Sequence, residues 1–273
     1  MDANLSPAVT VLVAAFNAEK YIAETIESVL NQTFKDFELL IVDDGSTDGT
    51  YARILEFSDD RIHVLKNEKN EGLVASLNKG ILFSRAKYIA RLDADDIALS
   101  TRLQKQIAFM EANLNVGLCG TFAEVFGTET GIMKVPTADD EISVDLLFYC
   151  CFIHPSVIIR RSVLGQYKFL YRSFAAEDYD LWCQMSRVTQ VRNLPEVLVR
   201  YRKHNTQITN VNQLKIKKSV NRIIISHLKA LFAHRLAPND LKWLETMIVK
   251  PLKEPRYPEM LQVLKRLNFQ NDK

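Results

Sequence analysis

Carboxylates gather at three places in the chain: Asp43 with Asp44, then Asp93, Asp95 and Asp96, then Glu177 with Asp178. Asp93 and Asp95 are two residues apart, so on an extended chain both side chains face the same way. Paired hard oxygens of this kind suit Mg²⁺ or Mn²⁺, which share their remaining positions with phosphates and water. Five aspartates on one rim would repel each other unless something positive sat among them; a divalent cation meets that need. A lone Asp-x-Asp is also a common acidic turn between strand and helix. Two further polar clusters at strand ends favour the metal. Asp44, at a strand tip, can accept a hydrogen bond from a pyrimidine ring N–H, or simply hold its own loop. Phe16 can pack on the face of a base or serve as an ordinary core residue.

The elements that must position these groups alternate. Residues 9–14 are apolar and β-branched, the pattern of a strand buried on both faces. Ile22, Ile26, Val29 and Leu30 then recur at helical spacing. A second strand, 37–42, runs into Asp43. Ser46, Thr47 and Asp48 are candidate N-caps for a short helix carrying Tyr51, Ile54 and Leu55. A strand at 62–65, a helix marked by Leu73, Leu77 and Ile81, and a strand at 87–92 ending at Asp93 complete the series. Such alternation predicts βαβ units, a parallel sheet and helices on both faces. Function in such sheets collects at the carboxyl ends of the strands. Three clusters fall there: Ala14, Ala15, Phe16 and Asn17; then Asp43 to Ser46; then Asp93 to Asp96.

Further on, residues 116–126, 157–159 and 197–201 read as strands. Residues 177–185 read as a helix whose acidic opening suits the helix dipole. From residue 211 the pattern turns helical, with Ile216, Val220, Ile223, Ile224, Leu228 and Leu231 on one face. Prolines 238, 251, 255 and 258 punctuate the rest.

Composition is that of a soluble globular protein, 47% hydrophobic and 25% charged. No run of eighteen apolar residues exists, so no spanning helix is expected. The apolar stretch 9–16 follows no basic region and is a poor signal peptide, which points to the cytoplasm. Four cysteines without CxxC spacing read as core thiols in a reducing compartment. Residues 211–273 carry 13 Lys and Arg against 5 Asp and Glu, while the rest of the chain is net acidic. That basic region is either a solvated helical cap or a peripheral contact with an anionic membrane at its inner face. Nucleic acid is not expected as a partner, because the motif-bearing part is acidic.

Taken together, the motifs resemble the family 2 glycosyltransferases. The matching segments are VLVAAFNAEKYIAETIESVLNQTFKDFELLIVDDGSTDGT (11–50), NEGLVASLNKGI (70–81), KYIARLDADD (87–96), HPSVIIRRSVL (154–164), EDYDLW (177–182) and YRKHNTQIT (201–209). The resemblance implies a GT-A fold: a mostly parallel sheet flanked by helices over 1–210, with a basic helical extension over 211–273. It implies that Ala14, Ala15, Phe16, Asn17 and Asp44 hold the nucleotide base, usually uracil, with Asp43 supporting that loop. Asp93 and Asp95 would contact ribose and a Mn²⁺ or Mg²⁺ ion on the diphosphate of a UDP-sugar, and Asp96 assists in some members. His204 would approach the metal or the diphosphate. Asp178 would be the general base, with Glu177 beside the acceptor or donor sugar. One base opposite the leaving group implies inversion. The implied reaction moves a hexose or N-acetylhexosamine to a saccharide or lipid-linked saccharide, in surface polysaccharide or glycolipid synthesis.

One departure stands out. Family members often carry Arg before the Asn in the segment matching Ser76-Leu77-Asn78, and here that position is Leu77. Three side chains keep a plain alternative: His154 hydrogen-bonded in its loop before Pro155, Glu177 as a helix-dipole partner, and Trp182 as core rather than acceptor platform. Two competing enzyme classes fit less well. A glycoside hydrolase also pairs carboxylates but has no use for a base-binding strand end. A nucleotidyltransferase would share the metal site, and no GxGxxG or GxxxxGK[ST] phosphate loop is present. A nucleotide-sugar binder without catalysis is the non-enzymatic alternative.

Overall fold

A computed structural model describes residues 6–172, 175–204 and 213–232. At its centre β1 (Val9–Ala15) lies between β2 (Phe37–Asp43) and β4 (Tyr88–Asp93), parallel to both, with β3 (Ile62–Lys66) parallel to β2 at the edge. A strand flanked on both sides and covered on both faces has no solvent side, which is why its sequence is apolar but for the buried Thr10. In register, Ala15 pairs with Asp43 and Ala14 with Asp93, so the polar strand ends finish level with one another on one rim.

Beyond β4 the sheet becomes mixed. β8 (Ile158–Arg160) runs antiparallel to β4 and to β6 (Val116–Gly127), and β9 (Gln190–Lys203) runs parallel to β6. β5 (Ile97–Ala98) and β7 (Gly131–Met133) pair antiparallel with β9 and β6. The order is β3-β2-β1-β4-β8-β6-β9-β5. β9 is longer than the expected 197–201, because its early part rides on β6 through an irregular register.

Strand alternation divides the core in two. Val9, Val11 and Val13 face α1 (Ile22–Leu30) and α4 (Arg102–Ala112). Leu12, Leu40 and Ile89 face α3 (Leu73–Phe83), α7 (Glu177–Met185) and α8 (Gln213–Phe232). α3 lies tight on the sheet because Gly80 has no side chain there: a Cβ would stand 2.2 Å from Leu12 Cδ1. Short helices α2 (Thr50–Leu55), α5 (Asp139–Asp145) and α6 (Arg161–Tyr167) and a 3-10 turn (His154–Ser156) fill the connections.

Two local expectations need correction. Leu231 is exposed, and Phe232, one helical turn beyond Leu228, takes the buried position. The N-cap of α2 is Gly49 rather than Ser46, Thr47 or Asp48: Ser46 and Thr47 bind Asn17, and Asp48, one residue ahead of the cap, accepts the Thr50 N–H on Oδ1 at 3.0 Å. Ile223, Ile224, Leu228 and Phe232 of α8 share a core with Leu181, Trp182 and Met185 of α7. Residues 205–212 and 233–273, with the four punctuating prolines and most of the basic region, lie outside the described residues.

Candidate active site

The turn after β1 is laced to the turn after β2. Asn17 adopts a left-handed φ of 50°, a conformation Asn tolerates better than most residues. Its N–H donates to Ser46 Oγ (3.0 Å), and its Oδ1 accepts from the Thr47 N–H (2.9 Å). Phe16 is 45% exposed at this rim, so it is no core phenylalanine. Ala14 is half-buried and Ala15 buried beside it.

Asp44 is buried and fastens the end of β2 to the loop ahead of α3. Its Oδ1 accepts from Asn67 Nδ2 (2.8 Å) and the Glu71 N–H (2.9 Å), and its Oδ2 from the Gly72 N–H (2.8 Å). A carboxylate offers about four lone-pair sites, so room remains for one more donor. Loop-holding is thus an observed role of Asp44. Gly45 makes the sharp turn here, at φ 68°, where a Cβ would meet the Lys69 backbone at 2.5 Å. Asp43 is wholly buried; its Oδ1 accepts a long 3.4 Å bond from the Ser46 N–H.

Across the rim, Asp93, Asp95 and Asp96 each offer a carboxylate oxygen, all within 4.8 Å of one another. Burial first, and then the neighbouring Asp93, raise the pKa of Asp95 and push that of Asp96 far up. Mutual repulsion of this kind is relieved by a cation. His204 Nε2 lies 2.8 Å from Asp95 Oδ2, and its ring sits 5.1 Å from that of Tyr21. Three carboxylates are a donor set that suits Mn²⁺ or Mg²⁺. Asp96 Oδ1 accepts the Arg202 N–H at 2.7 Å, while its Oδ2 is buried with no hydrogen-bond partner among the described residues. A cavity of about 650 Å³ opens beside His204, lined by Asn17, Lys20, Tyr21, Glu24 and Arg202.

Glu177 and Asp178 open α7. Burial, and next the adjacent Asp178, bring the Glu177 carboxyl up to about 7. Burial also raises Asp178, against the pull of its own helix N–H groups and of Arg91. Both feel Asp93, so the helix start and the acidic strand end lie within electrostatic reach of each other. Cys150 Sγ stands 3.9 Å from Asp178 Oδ2. The chain ahead of α7 is pinned by an ion pair between Arg172 and the buried Asp180.

Beneath these carboxylates lies an aromatic floor. His154 Nε2 is 2.9 Å from Tyr171 Oη, and burial, with Arg91 nearby, holds the imidazole neutral. Trp182 meets both rings edge-on and has no exposed surface. His154 and Trp182 therefore follow their plain alternatives, one hydrogen-bonded and one core. Asn78 clamps the Tyr171 backbone, donating to its carbonyl (2.8 Å) and accepting its N–H (2.9 Å). Leu77 is wholly buried in the core, so no donor contact comes from that position.

Sequence reasoning passed over Arg91, which is 3% exposed and ion-paired with Asp93. A signal existed: one arginine inside an otherwise apolar buried strand, two residues before an aspartate. Arginine is almost never fully buried unless paired.

Comparison with known proteins places this geometry. Residues 10–173 match the model of "Glycosyl transferase family 2". An uncharacterized glycosyltransferase of Haemophilus influenzae is 36% identical over 220 residues, covering 75% of this chain and 68% of its own. The Escherichia coli UDP-Glc:α-D-GlcNAc-diphosphoundecaprenol β-1,3-glucosyltransferase WfaP is 34% identical over 242 residues, 85% of this chain and 94% of its own. Among solved structures, S. aureus TarS 1–349 in complex with UDP-GlcNAc superposes with a TM-score of 0.71 at 19% identity, over 88% of this chain and 71% of that one. With the family model, the relatives and the fold in agreement, the chain belongs to glycosyl transferase family 2 and has the GT-A fold.

Proposed function

We propose that the protein transfers a hexose or N-acetylhexosamine from a UDP-sugar to an acceptor hydroxyl, with inversion at the anomeric carbon. The observation that carries this is the juxtaposition of the Asp93, Asp95 and Asp96 oxygens with the α7 carboxylates, which feel Asp93. Asp93, Asp95 and His204 would hold Mn²⁺ or Mg²⁺, with Asp96 in support. When bound, the ion supplies Lewis-acid stabilisation of the charge that develops on the departing diphosphate. The rim formed by Ala14, Ala15, Phe16 and Asn17 would take the base, with Phe16 on its face, Asp44 accepting its N–H and Asp43 holding the turn.

Asp178 is the general base. It takes the acceptor hydroxyl proton as the new oxygen–carbon bond forms and the bond from that carbon to the diphosphate breaks. Base catalysis of this kind contributes roughly 10²–10⁴-fold. Glu177 sits next to it and orients a sugar hydroxyl. One base facing the leaving group across the reacting carbon gives a single displacement, hence inversion.

Named relatives support the substrate class. TarS binds UDP-GlcNAc in its solved complex, and WfaP is named for a UDP-Glc donor and a lipid-linked diphosphate acceptor. These names support a saccharide or lipid-linked saccharide acceptor, in surface polysaccharide or glycolipid synthesis, as the reading for this chain. Residues 1–210 form the catalytic unit in this proposal, and 211–273 the basic extension that approaches an anionic membrane from the cytoplasmic side. Among the described residues no helix is long and apolar enough to cross a membrane. Co-sedimentation with liposomes, with and without acidic lipid, tests the contact; equal binding removes its electrostatic basis.

The deciding experiment is a panel of nucleotide sugars with Mn²⁺ or Mg²⁺, followed by thermal stabilisation and release of nucleoside diphosphate. A ligand that binds only the native state raises apparent stability. Stabilisation without diphosphate release would mark a catalytically silent binder, and release of sugar 1-phosphate, from cleavage between the two phosphates, a nucleotidyltransferase.

A further inference from the structure

Arg91 lies within the sheet floor of the site, on β4. Its backbone is held on both sides: its N–H donates to Val157 O (2.9 Å), and its carbonyl accepts from Arg102 Nη2 (2.7 Å). Strand alternation puts its side chain on the same face as Ile89 and Asp93, the face covered by α7. There it pairs with Asp93 through Nη2, while Nε and Nη1 are buried with no hydrogen-bond partner among the described residues. The charged and titratable groups that feel it are Asp93 at the end of β4 and Asp96 just beyond it, Tyr171 from the chain before α7, Glu177 and Asp178 from α7, His154 from the 3-10 turn, Arg102 from α4 and Tyr201 from β9. Four of these are carboxyls. Burying an arginine is costly unless its charge is met, and here the charge sits where the acidic groups of two distant segments converge.

We propose that Arg91 is a positioning residue: its guanidinium fixes the Asp93 carboxylate on the rim and so prepares the acidic trio to receive a cation with its nucleoside diphosphate. This rests on the metal-dependent nucleotide site proposed above and adds to it a residue behind the ligands. Groups behind a metal's ligands orient them, and their removal typically costs about 10–100-fold in metal affinity. The guanidinium reaches Asp93 through the single nitrogen Nη2, which holds that carboxylate and balances its charge.

The test is a double-mutant cycle read by calorimetric titration of UDP with Mn²⁺, with melting in chelator as the folding control. Arg91→Met should weaken binding about tenfold or more, and Arg91→Lys should lose less. In an Asp93→Asn background, the added Arg91→Met should change affinity less than about twofold, because the group it positions is already gone. Equal losses in both backgrounds, or wild-type affinity in Arg91→Met, overturn the proposal. If Arg91→Met does not fold, the same cycle run with Arg91→Lys decides by the same criterion. Wild-type protein that binds no UDP with Mn²⁺ overturns the functional reading and this inference together; wild-type binding with additive losses overturns only the role of Arg91.

Discussion

His204 Nε2 and Asp95 Oδ2 stand 2.8 Å apart, although 109 residues separate them in the chain. The contact joins the end of β9 to the acidic strand end of β4. It sets an imidazole nitrogen beside the carboxylates of the proposed metal site.

His204→Ala should therefore weaken Mn²⁺-dependent UDP binding by about 10–100-fold while leaving the fold intact. Titration of the nucleotide with and without Mn²⁺ checks it. Unchanged metal dependence would restrict His204 to holding Asp95.

Asp178→Asn should lower transfer by about 10²–10⁴-fold with little effect on metal-dependent nucleotide binding, because the proton acceptor is lost while the donor site remains. Diphosphate release under saturating donor and acceptor measures the first, calorimetry the second. Loss of nucleotide binding in this variant would assign Asp178 a structural role instead.

Glu177 links pH to stability. Its ordinary value of 4.5 is raised in the fold to about 7, by burial and then by Asp178. Between those values the folded protein holds a proton that the unfolded chain has released, so stability falls as pH rises through the window, and the loss is complete above the folded value. Glu177→Gln carries no such proton. In chelator, its melting temperature should depend less on pH between about 5 and 8, and the variant should be more stable than wild type at the alkaline end by about 1–2 kcal/mol after solvent screening. Parallel melting curves for the two proteins across that range would show that Glu177 is not perturbed.

α8 makes a paired test. Leu228 is buried against the same core as Trp182, whereas Leu231 is 36% exposed. Leu228→Ala should cost about 2–5 kcal/mol, and Leu231→Ala no more than about 0.5 kcal/mol, read by chemical unfolding. Similar costs at both positions would mean that α8 does not seat on α7 through this face.

Short-range pattern carried much of the fold. The apolar stretch 9–14, the helical spacing of Leu73, Leu77 and Ile81, and the acidic opening at Glu177 each reflect which faces of a local element are buried, and that is written into consecutive residues. α4 escaped because polar Arg102 and Gln106 share its buried stripe with Leu103, Ile107 and Met110. Their burial is made tolerable by long-range bonds, Arg102 to the carbonyls of Arg91 and Val157, and Gln106 to those of Cys119 and Ser156. β5 and β7 are too short, at two and three residues, to show a period.

By itself, the sequence determined that strands and helices alternate and that Asp43, Asp44, Asp93 and Asp95 stand at strand ends, because hydrophobic periodicity is a property of neighbours along the chain. Tertiary structure alone decided which of those oxygens meet what. Asp44 closes on the N–H groups of Glu71 and Gly72, Asp95 meets His204, and the α7 carboxylates come within reach of Asp93. Hydrogen bonds and ion pairs depend on distances of a few ångströms between segments far apart in sequence. Asp95 reaches His204, and the α7 carboxylates reach Asp93, only once β8 has slotted between β4 and β6 and carried the second half of the chain to the rim.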